Sequence, residues 1–478
     1  MLTLSSFQLF YGKLYSIFSI KTIYLGAIAI FEVGSLICAT APNSVALIVG
    51  RAIAGLGAAG IFSGGLLITA KIIPLDRRAG YLGIMSAAFG LAAILGPFIG
   101  GALTDKATWR WCFGINLPLG AVTIILCCFF IHTPTDESIQ PLTFLEKCQQ
   151  LDLPGTTSMV AALICLLIAL QWGGSAYPWS DGRIIALFVV FGVLAAAFIV
   201  IQVTTITGKA RTIPSTLARN RDVWLAGSYA MCITGGIYVA VLYLPVWFQT
   251  VQGYSAFSSG TMITPMIAGY VVCSVVAGGL TVAIGYYNPG MIIGTVLAIA
   301  GAALLTTTNL HTSKANIIGY QLLYGFGVGF GFGQPSYVVQ TTLPTADIPI
   351  GITFITLVQN LSASVFVAIG QSIFQDQLRQ RIQAVVPGFD LSTQGHGAAD
   401  ILDVLPPDLR EAGRTAYSIS LLSTLYIPLA LSCASVVGAL FIRWGSMKKN
   451  GDDAQSSEQV STSEPQENQK SEGGENHI

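Results

Sequence analysis

Charge is the scarcest property of this sequence. Only 10% of its 478 residues are Asp, Glu, Lys or Arg, whereas soluble globular proteins carry about 25%. The 23 basic and 23 acidic residues cancel, so the chain also lacks the basic excess that nucleic-acid binding requires. With 53% hydrophobic residues and a mean hydropathy of +0.68, it has too few charges for a water-facing surface. The composition predicts a membrane protein that crosses the bilayer several times.

Histidine and paired cysteine are also scarce. The sequence has four His, and its nine Cys include no CxxC pair and fall mostly within apolar stretches. These cysteines are therefore expected to be small hydrophobic residues rather than disulfide or zinc ligands. No Ser/His/Asp set or HExxH motif is visible, and the glycine-rich run at 325–333 lacks the Lys-Ser/Thr of a phosphate loop. We predict a protein that is not an enzyme, binds no metal, cofactor or nucleotide, and draws its energy from a gradient.

Twelve apolar segments are long enough to cross a bilayer core about 30 Å thick as α-helices. They lie at residues 22–41, 45–70, 81–103, 113–131, 155–172, 184–206, 223–248, 258–284, 290–310, 317–342, 351–374 and 417–442. Residues 1–18 form a shorter apolar stretch, which is expected to be the back half of a further helix. Lys and Arg are concentrated in one set of alternating loops, so the positive-inside rule predicts that those loops and the C-terminus are cytoplasmic.

The same pattern divides the chain into four regions. Residues 1–132 are expected to form an incomplete N-terminal bundle, and residues 133–222 a cytoplasmic loop, two linking helices and a following loop. Residues 223–445 are expected to form a C-terminal bundle that includes a long extracellular loop at 375–416. The polar composition of residues 446–478 predicts a disordered cytoplasmic tail.

Two ionisable residues, Glu32 and Arg51, lie well inside predicted spans, where a charge costs about 2.5–3.5 kcal/mol on insertion scales. Two interpretations stay open. Arg51 tunes the pKa of a carboxyl that carries a proton, with Glu32 as the candidate, or the two side chains form a structural pair.

Small residues recur in the helices that contain and follow Arg51. Glycine allows close helix packing in membranes, and proline permits a helix to bend. The helix of Arg51 contains Gly55, Gly57 and Gly60. The next predicted helix contains Gly96, Pro97, Gly100 and Gly101, with Asp105 at its outer rim. Taken singly, these residues are ordinary in membrane helices.

Seven polar or aromatic residues in the second half of the chain are candidates for a substrate cavity. Amides and aromatic rings without fixed charge suit large, partly apolar, uncharged or weakly charged molecules. The alternative is that these side chains make interhelical hydrogen bonds that hold the bundle together. The seven residues are Tyr243, Trp247, Gln249, Gln334, Gln340, Gln359 and Asn360.

Taken in order, these motifs resemble the major facilitator superfamily. Residues 51–60 are similar to the Arg-containing motif of its fourth helix, and residues 95–105 to the Gly-Pro motif in the fifth helix of its antiporters. Three further segments resemble fungal fourteen-span drug:proton antiporters, at 108–121, 243–260 and 351–375. The loop from Gly12 to Lys21 aligns with the cytoplasmic gating loop of the superfamily, but Ser16 stands where the general pattern has Asp. The resemblance covers residues 7–444.

The resemblance implies an all-α fold of two six-helix bundles around a central cavity, with two additional linking helices. The chain starts later than members of this group do, which leaves about twelve full spans and a partial one. The implied function is proton-coupled export of a drug, toxin or secondary metabolite. Arg51 would tune the proton site, Glu32 would belong to it, and the helix of Pro97 would bend and seal.

Two alternatives stay open, namely an uptake carrier of the same superfamily, for instance for an iron–siderophore complex, and a truncated membrane protein that does not transport. The expected partners are a small organic substrate and the lipid bilayer, with no nucleic acid, and we expect a monomer. The cell membrane is the expected location, with the vacuolar membrane as the alternative.

Overall fold

The fold is described from a computed structural model, which places residues 2–130, 152–174, 177–204, 213–344, 347–385 and 409–446. Every regular element within these residues is an α-helix. The cytoplasmic loop predicted at 133–151 and almost all of the predicted tail lie outside the described residues. The predicted all-α class is thus confirmed for the part of the chain that the structure describes.

Six helices form the N-terminal half. Asn43 begins the third of them because its side chain accepts a hydrogen bond of 2.9 Å from Ala46 N, as an N-cap residue does. The fourth follows Pro74. The six are α1 (Leu2–Ile17), α2 (Ile20–Ala39), α3 (Ser44–Ile72), α4 (Leu75–Lys106), α5 (Trp111–Gly114) and α6 (Asn116–Phe130).

Two linking helices, α7 (Leu153–Trp172) and α8 (Gly182–Val203), follow and pack against each other. Each begins at an aspartate whose side chain accepts a backbone N–H, Asp152 for α7 and Asp181 for α8. Only 6% of the most apolar 18 residues of α8 are buried inside the protein. This is expected of a helix that faces lipid. Both predicted linking helices are present.

The remaining helices form the C-terminal half. The most buried of its spans is α10 (Arg221–Thr250), in which 61% of the most apolar 18 residues lie inside the protein. The helices are α9 (Ser215–Ala218), α10 (Arg221–Thr250), α11 (Ala256–Ile284), α12 (Asn288–Thr306), α13 (Lys314–Phe332), α14 (Gln334–Thr342), α15 (Ile348–Val385), α16 (Arg410–Ser423) and α17 (Tyr426–Phe441).

The predicted extracellular loop at 375–416 is wrong at both ends, because α15 continues to Val385 and α16 already begins at Arg410. Polar pairs one turn apart support the extension of α15. Gln380 Nε2 donates to Asp376 Oδ2 at 2.9 Å, and Arg381 Nη2 donates to Gln377 Oε1 at 3.2 Å. Such pairs stabilise a helix without apolar residues, so a hydropathy pattern does not detect them.

Within the described residues, ten helices or helix pairs are long and apolar enough to cross a membrane. They account for ten of the twelve predicted spans. The two other predicted spans are 81–103, which lies in α4, and 317–342, which the structure divides at Gly333 into α13 and α14. The total number of spans therefore stays a prediction.

The glycines of α3 bring its backbone against α2. A Cβ on Gly57 would overlap the backbone N of Phe31 and lie 2.7 Å from Ala27 O. A Cβ on Gly60 would lie 2.5 Å from the Ala27 Cβ. The close approach that the small residues of α3 predict is thus present.

A Gly57→Ala substitution is expected to lower the thermal unfolding temperature, because the atoms that its methyl group meets belong to a backbone that cannot turn aside. Overpacking of this kind costs about 1–3 kcal/mol. Gly26→Ala in α2 is the matched control, since a Cβ there meets nothing within 4 Å and alanine is the better helix former. Tryptophan fluorescence of the purified protein during heating measures both. Equal unfolding temperatures for the two variants would contradict the prediction.

The two halves contact each other most extensively through two helix pairs, α1 with α15 and α4 with α11, and further contacts join α3 to α15 and α4 to α14. A Cβ on Gly12 would overlap the Thr353 side chain, and a Cβ on Gly83 would lie 3.1 Å from Ser274 O. Both glycines lie toward the end of the bundle that is predicted to be cytoplasmic. A Cβ on Gly96 or Gly100, farther along α4, would meet nothing within 4 Å. In the middle of α4, however, a Cβ on Gly90 would overlap the Val271 side chain of the other half. The described contacts between the halves therefore extend from the predicted cytoplasmic end to the middle of α4.

Candidate functional site

A cavity of about 290 Å³ lies between the two halves. Both halves contribute to its wall, and most of the lining side chains are apolar. The polar groups are those of Tyr24, Ser336 and Gln359. The described lining residues are Tyr24, Ile61, Phe62, Gly65, Leu66 and Met85 from the N-terminal half and Phe332, Gly333, Ser336 and Gln359 from the C-terminal half. A concave, mainly apolar surface with a few polar groups is typical of a small-molecule site.

The break between α13 and α14 builds one wall of this central cavity. Helix α13 ends at Phe332, and α14 begins at Gln334 with a proline in its first turn. Proline removes a backbone donor and is tolerated at a helix start. The Phe332 ring packs edge-on against Tyr270, with ring centroids 5.4 Å apart. Opposite this wall, a Cβ on Gly65 would lie 3.5 Å from Met85 Cε, so Gly65 keeps the cavity open.

The structure brings one of the seven predicted cavity residues, Gln359, to the cavity wall. Five others make interhelical hydrogen bonds, which were the alternative interpretation. Three of these bonds run from Tyr243 OH to Val367 O (3.0 Å), from Trp247 Nε1 to Ser418 Oγ (2.9 Å) and from Gln249 Nε2 to Ser259 Oγ (2.8 Å). Gln334 Nε2 donates to Thr281 Oγ1 of α11 at 3.4 Å and, one turn back in the chain, to Phe330 O at 3.1 Å.

The last two candidates lie elsewhere. Gln340 Oε1 accepts a hydrogen bond of 3.3 Å from Arg78 Nη1 and so joins α14 to α4. Asn360 is half-buried on α15, one residue beyond Gln359. The cavity residues of the N-terminal half were missed in the sequence, because they are apolar and carry no pattern that separates a cavity wall from helix packing. The adjacent glycines Gly64 and Gly65 were the available signal.

Glu32 and Arg51 lie on adjacent helices but do not pair with each other. Glu32 packs against α6, where a Cβ on Gly120 would overlap its carboxylate. Its Oε2 atom is buried and has no hydrogen-bond partner among the described residues. The guanidinium Cζ of Arg51 lies 5.7 Å from the centroid of the Phe113 ring. The structure thus gives the structural-pair interpretation no support, and neither residue lines the central cavity.

The Gly-Pro motif belongs to α4, which is one helix from Leu75 to Lys106. No neighbour lies within 4 Å of a Cβ on Gly96 or Gly100, so the close approach predicted at Gly100 is absent from this conformation. The side-chain surroundings of Pro97, Gly101 and Asp105 lie outside the described part of the chain.

A group of charged residues, two of them buried, lies at the predicted cytoplasmic end, next to Gly12. Lys13 of α1 is only 8% exposed, and Asp152 at the start of α7 is 1% exposed. The charges of Asp152 and Asp347 act on the Lys13 ammonium. We call Lys13, Asp152 and Asp347 the Lys13 cluster. It joins the N-terminal half, the first linking helix and the C-terminal half at one point, whereas Lys21 donates to Cys128 O at 2.8 Å within the N-terminal half.

Each aspartate of the Lys13 cluster is held by further hydrogen bonds. Asp152 Oδ1 accepts from Gly155 N at 2.9 Å, and its Oδ2 accepts from Gln202 Nε2 of α8. Asp347 Oδ2 accepts from Thr216 Oγ1 at 2.6 Å. Buried charges are tolerated when they are paired and hydrogen-bonded. Hydrogen bonds thus hold both aspartates, in addition to the charge of Lys13.

A bundle of apolar helices whose two halves enclose a cavity is the architecture of a membrane carrier. The chain belongs to the Major Facilitator Superfamily, whose family model matches residues 1–367. The solved structure of the MFS proton:xylose symporter XylE has a TM-score of 0.56 and 14% sequence identity to this chain. That superposition covers 92% of this chain and 85% of XylE, and it confirms the fold.

The relatives with higher identity are fungal. The MFS thioclapurine efflux transporter tcpA of Claviceps purpurea is 46% identical over 451 residues, which cover 94% of this chain and 83% of tcpA. The MFS-type transporter astH of Aspergillus oryzae is 44% identical over 449 residues, which cover 94% of this chain and 79% of astH. These findings confirm the resemblance to fungal efflux pumps. The protein is a multi-pass membrane transporter for small molecules.

Proposed function

We propose that this protein exports small organic molecules of the secondary-metabolite class across the cell membrane in exchange for protons. The observation that carries the proposal is the central cavity, whose wall belongs to both halves. None of its described lining residues is Asp, Glu, Lys, Arg or His. A fixed charge on the substrate would have no partner there and would be costly to bury. The substrate class is therefore a largely apolar molecule with a few hydrogen-bonding groups, consistent with the efflux named for tcpA.

The transport cycle follows from where the halves meet. Their contacts at Gly12, Gly83 and Arg78 lie at the predicted cytoplasmic end, and a further contact at Gly90 lies in the middle of α4. This arrangement supports a conformation whose cytoplasmic end is closed. The cycle is completed by opening at the cytoplasmic end, which separates Lys13 from Asp347. Alternating access of this kind requires two arrangements of similar free energy.

The proton is proposed to load at Glu32, with Arg51 tuning the site. Glu32 is a carboxylic acid in the middle of a span, and one of its oxygens has no hydrogen-bond partner among the described residues. Membrane carboxyls in such positions are typical of proton relays. A proton that moves down 100 mV supplies about 2.3 kcal/mol, more than the roughly 1.4 kcal/mol that a tenfold substrate gradient requires.

The test is export of a fluorescent amphiphile from cells that make the 478-residue chain, with surface expression measured in parallel. The proposal expects export that stops when the proton gradient is collapsed and that falls in Arg51→Ala. Net accumulation driven by the same gradient would establish uptake instead. A chain that reaches the membrane and moves no amphiphile, in cells or in liposomes, would favour the non-transporting alternative.

A Ser336→Trp substitution is expected to reduce export at least about tenfold, because the indole would fill much of a cavity of about 290 Å³. Val190→Trp is the matched control, since Val190 is 44% exposed on α8 and its replacement would face lipid. Initial rates of amphiphile export, corrected for surface expression, measure both variants. Export by Ser336→Trp at the rate of Val190→Trp would contradict the assignment of the cavity.

A further inference from the structure

A second cavity, of about 500 Å³, lies at the predicted cytoplasmic end of the C-terminal half. Its described lining residues differ from those of the central cavity. Its wall is formed by the start of α10, the residue before α12, the end of α14 and the segment after α17. The lining residues are Arg219, Asn220, Arg221, Asp222, Tyr287, Thr341, Thr342, Arg443, Gly445 and Ser446.

The charge of this cavity favours an anion. Three of its lining residues are arginine and one is acidic, Asp222. Asp222 lies 3.9 Å from Arg443 through its Oδ2 atom, and in the described part of the chain no acidic side chain pairs with Arg219 or Arg221. The start of α10, a helix of thirty residues, adds the partial positive charge of a helix N-terminus.

Backbone hydrogen bonds hold Arg443, which follows α17, in place. Arg443 O accepts a hydrogen bond of 2.9 Å from Tyr287 OH, and Arg443 N donates to Asp222 Oδ1 at 3.3 Å. Asn288 Nδ2 donates to the preceding carbonyl, Ile442 O, at 3.2 Å. The Arg443 side chain is nevertheless 82% exposed. Its guanidinium is therefore positioned at the cavity and open to a ligand.

Aromatic side chains place this cavity at the depth of lipid headgroups. Trp224, Tyr286 and Trp444 are 49%, 38% and 63% exposed. The rings of Tyr286 and Trp444 lie 6.1 Å apart between centroids, and Trp224 Nε1 donates to Ala218 O at 3.0 Å. Exposed Trp and Tyr are concentrated at the membrane–water interface, where one end of the side chain is apolar and the other is hydrated.

We propose that this cavity binds the phosphate group of an anionic phospholipid from the cytoplasmic leaflet. Guanidinium groups match phosphate oxygens in pairs of parallel hydrogen bonds, and Arg219, Arg221 and Arg443 supply them from two separate segments. The exposed aromatic residues that lie next to the lining residues in the chain favour a lipid over a soluble phosphate. The lipid would hold the start of α10 to the segment after α17. The site does not depend on the proposed export, because binding requires neither a substrate nor a proton gradient.

The test is retention of phosphatidylserine by the purified full chain, measured by native mass spectrometry and by the rise in unfolding temperature that the lipid causes. The site variant is Arg221→Gln with Arg443→Gln. The control is Lys71→Gln with Arg77→Gln, which removes two positive charges at the same predicted end of the other half. Both double variants are first compared without lipid, so that a loss of folding is recognised.

Wild type and the control are expected to retain phosphatidylserine in preference to phosphatidylcholine. The site variant is expected to bind phosphatidylserine at least about tenfold more weakly, since it loses two of the three arginines that would bind the lipid phosphate. Equal retention by the site variant, or an equal loss in both variants, would overturn the proposal. Displacement of the lipid by an equal concentration of inorganic phosphate would assign the site to a soluble anion and would overturn the lipid as its ligand.

Discussion

A Lys13→Gln variant is expected to open the predicted cytoplasmic end of the transporter and to reduce export at least about tenfold. The substitution leaves the carboxylates of Asp152 and Asp347 without the buried cation that acts on them. Lys13 and Asp152 are buried, so the attraction between the cation and the carboxylates is screened less than it would be at the surface. Its loss falls on the closed conformation, because Lys13 and Asp347 belong to different halves and separate on opening. A loss of about 1.4 kcal/mol shifts a ratio of conformations by about tenfold.

Labelling of a cysteine at position 353 measures this opening directly. Thr353 is fully buried beneath Gly12, so a Thr353→Cys thiol reacts with a maleimide only when the two halves separate there. The exposed Cys128 and Cys433, together with Cys148 of the predicted cytoplasmic loop, are replaced by serine in the same background. Lys13→Gln is expected to speed labelling, and Lys71→Gln, an exposed lysine at the same end, is expected to leave it unchanged.

Asp347→Asn provides a second variant on the opposite side of the contact. It is expected to change labelling in the same direction, and the double variant is expected to be less affected than the sum of the two singles, because the residues interact. An unchanged labelling rate in Lys13→Gln, with a normally folded protein, would show that the cluster does not hold the halves together.

The Lys13 cluster also shows what the sequence could predict about gating. Gly12 lies in the segment that resembles the gating loop, and it contacts Thr353 of the other half. The sequence offered no partner for that loop, since Ser16 replaces the usual Asp and its Oγ donates only to Lys13 O, at 2.8 Å. The aspartates whose charges act on Lys13 are far from it in the sequence, with Asp152 139 residues and Asp347 334 residues later. Such a meeting depends on helix packing, which a single sequence does not contain.

The fold itself was largely predictable, because a bilayer imposes a length and an apolar composition on each spanning helix. The errors fall where helices extend beyond the apolar part, as at Gln375 in α15. The central cavity was less predictable for a related reason. An amide such as Gln334, which bonds to a neighbouring carbonyl, and an amide such as Gln359, which lines the cavity, have the same residue type. Only their distances to other helices separate them.

A Glu32→Gln variant is expected to abolish proton-driven export, because glutamine keeps the shape of the side chain but cannot bind and release a proton at the proposed site. Glu32 is absent from the described lining of the central cavity, so binding of the amphiphile is expected to stay unchanged. This combination distinguishes a proton carrier from a residue that only supports the structure. Glu32→Asp is expected to retain part of the coupling, since it keeps the carboxyl but shortens its reach.

Liposomes that contain the purified protein and a pH-sensitive dye provide the measurement, since substrate added on one side should drive protons across only when the carboxyl is present. Asp376→Asn is the matched control, because Asp376 is an exposed carboxyl on α15 whose removal should leave proton movement intact. Gly120→Ala adds a test of the site's geometry. Its methyl group would overlap the Glu32 carboxylate and displace it, so coupling should weaken while the carboxyl remains. Substrate-driven proton movement by Glu32→Gln at the wild-type rate would exclude Glu32 as the proton carrier and would require another titratable group to carry the proton.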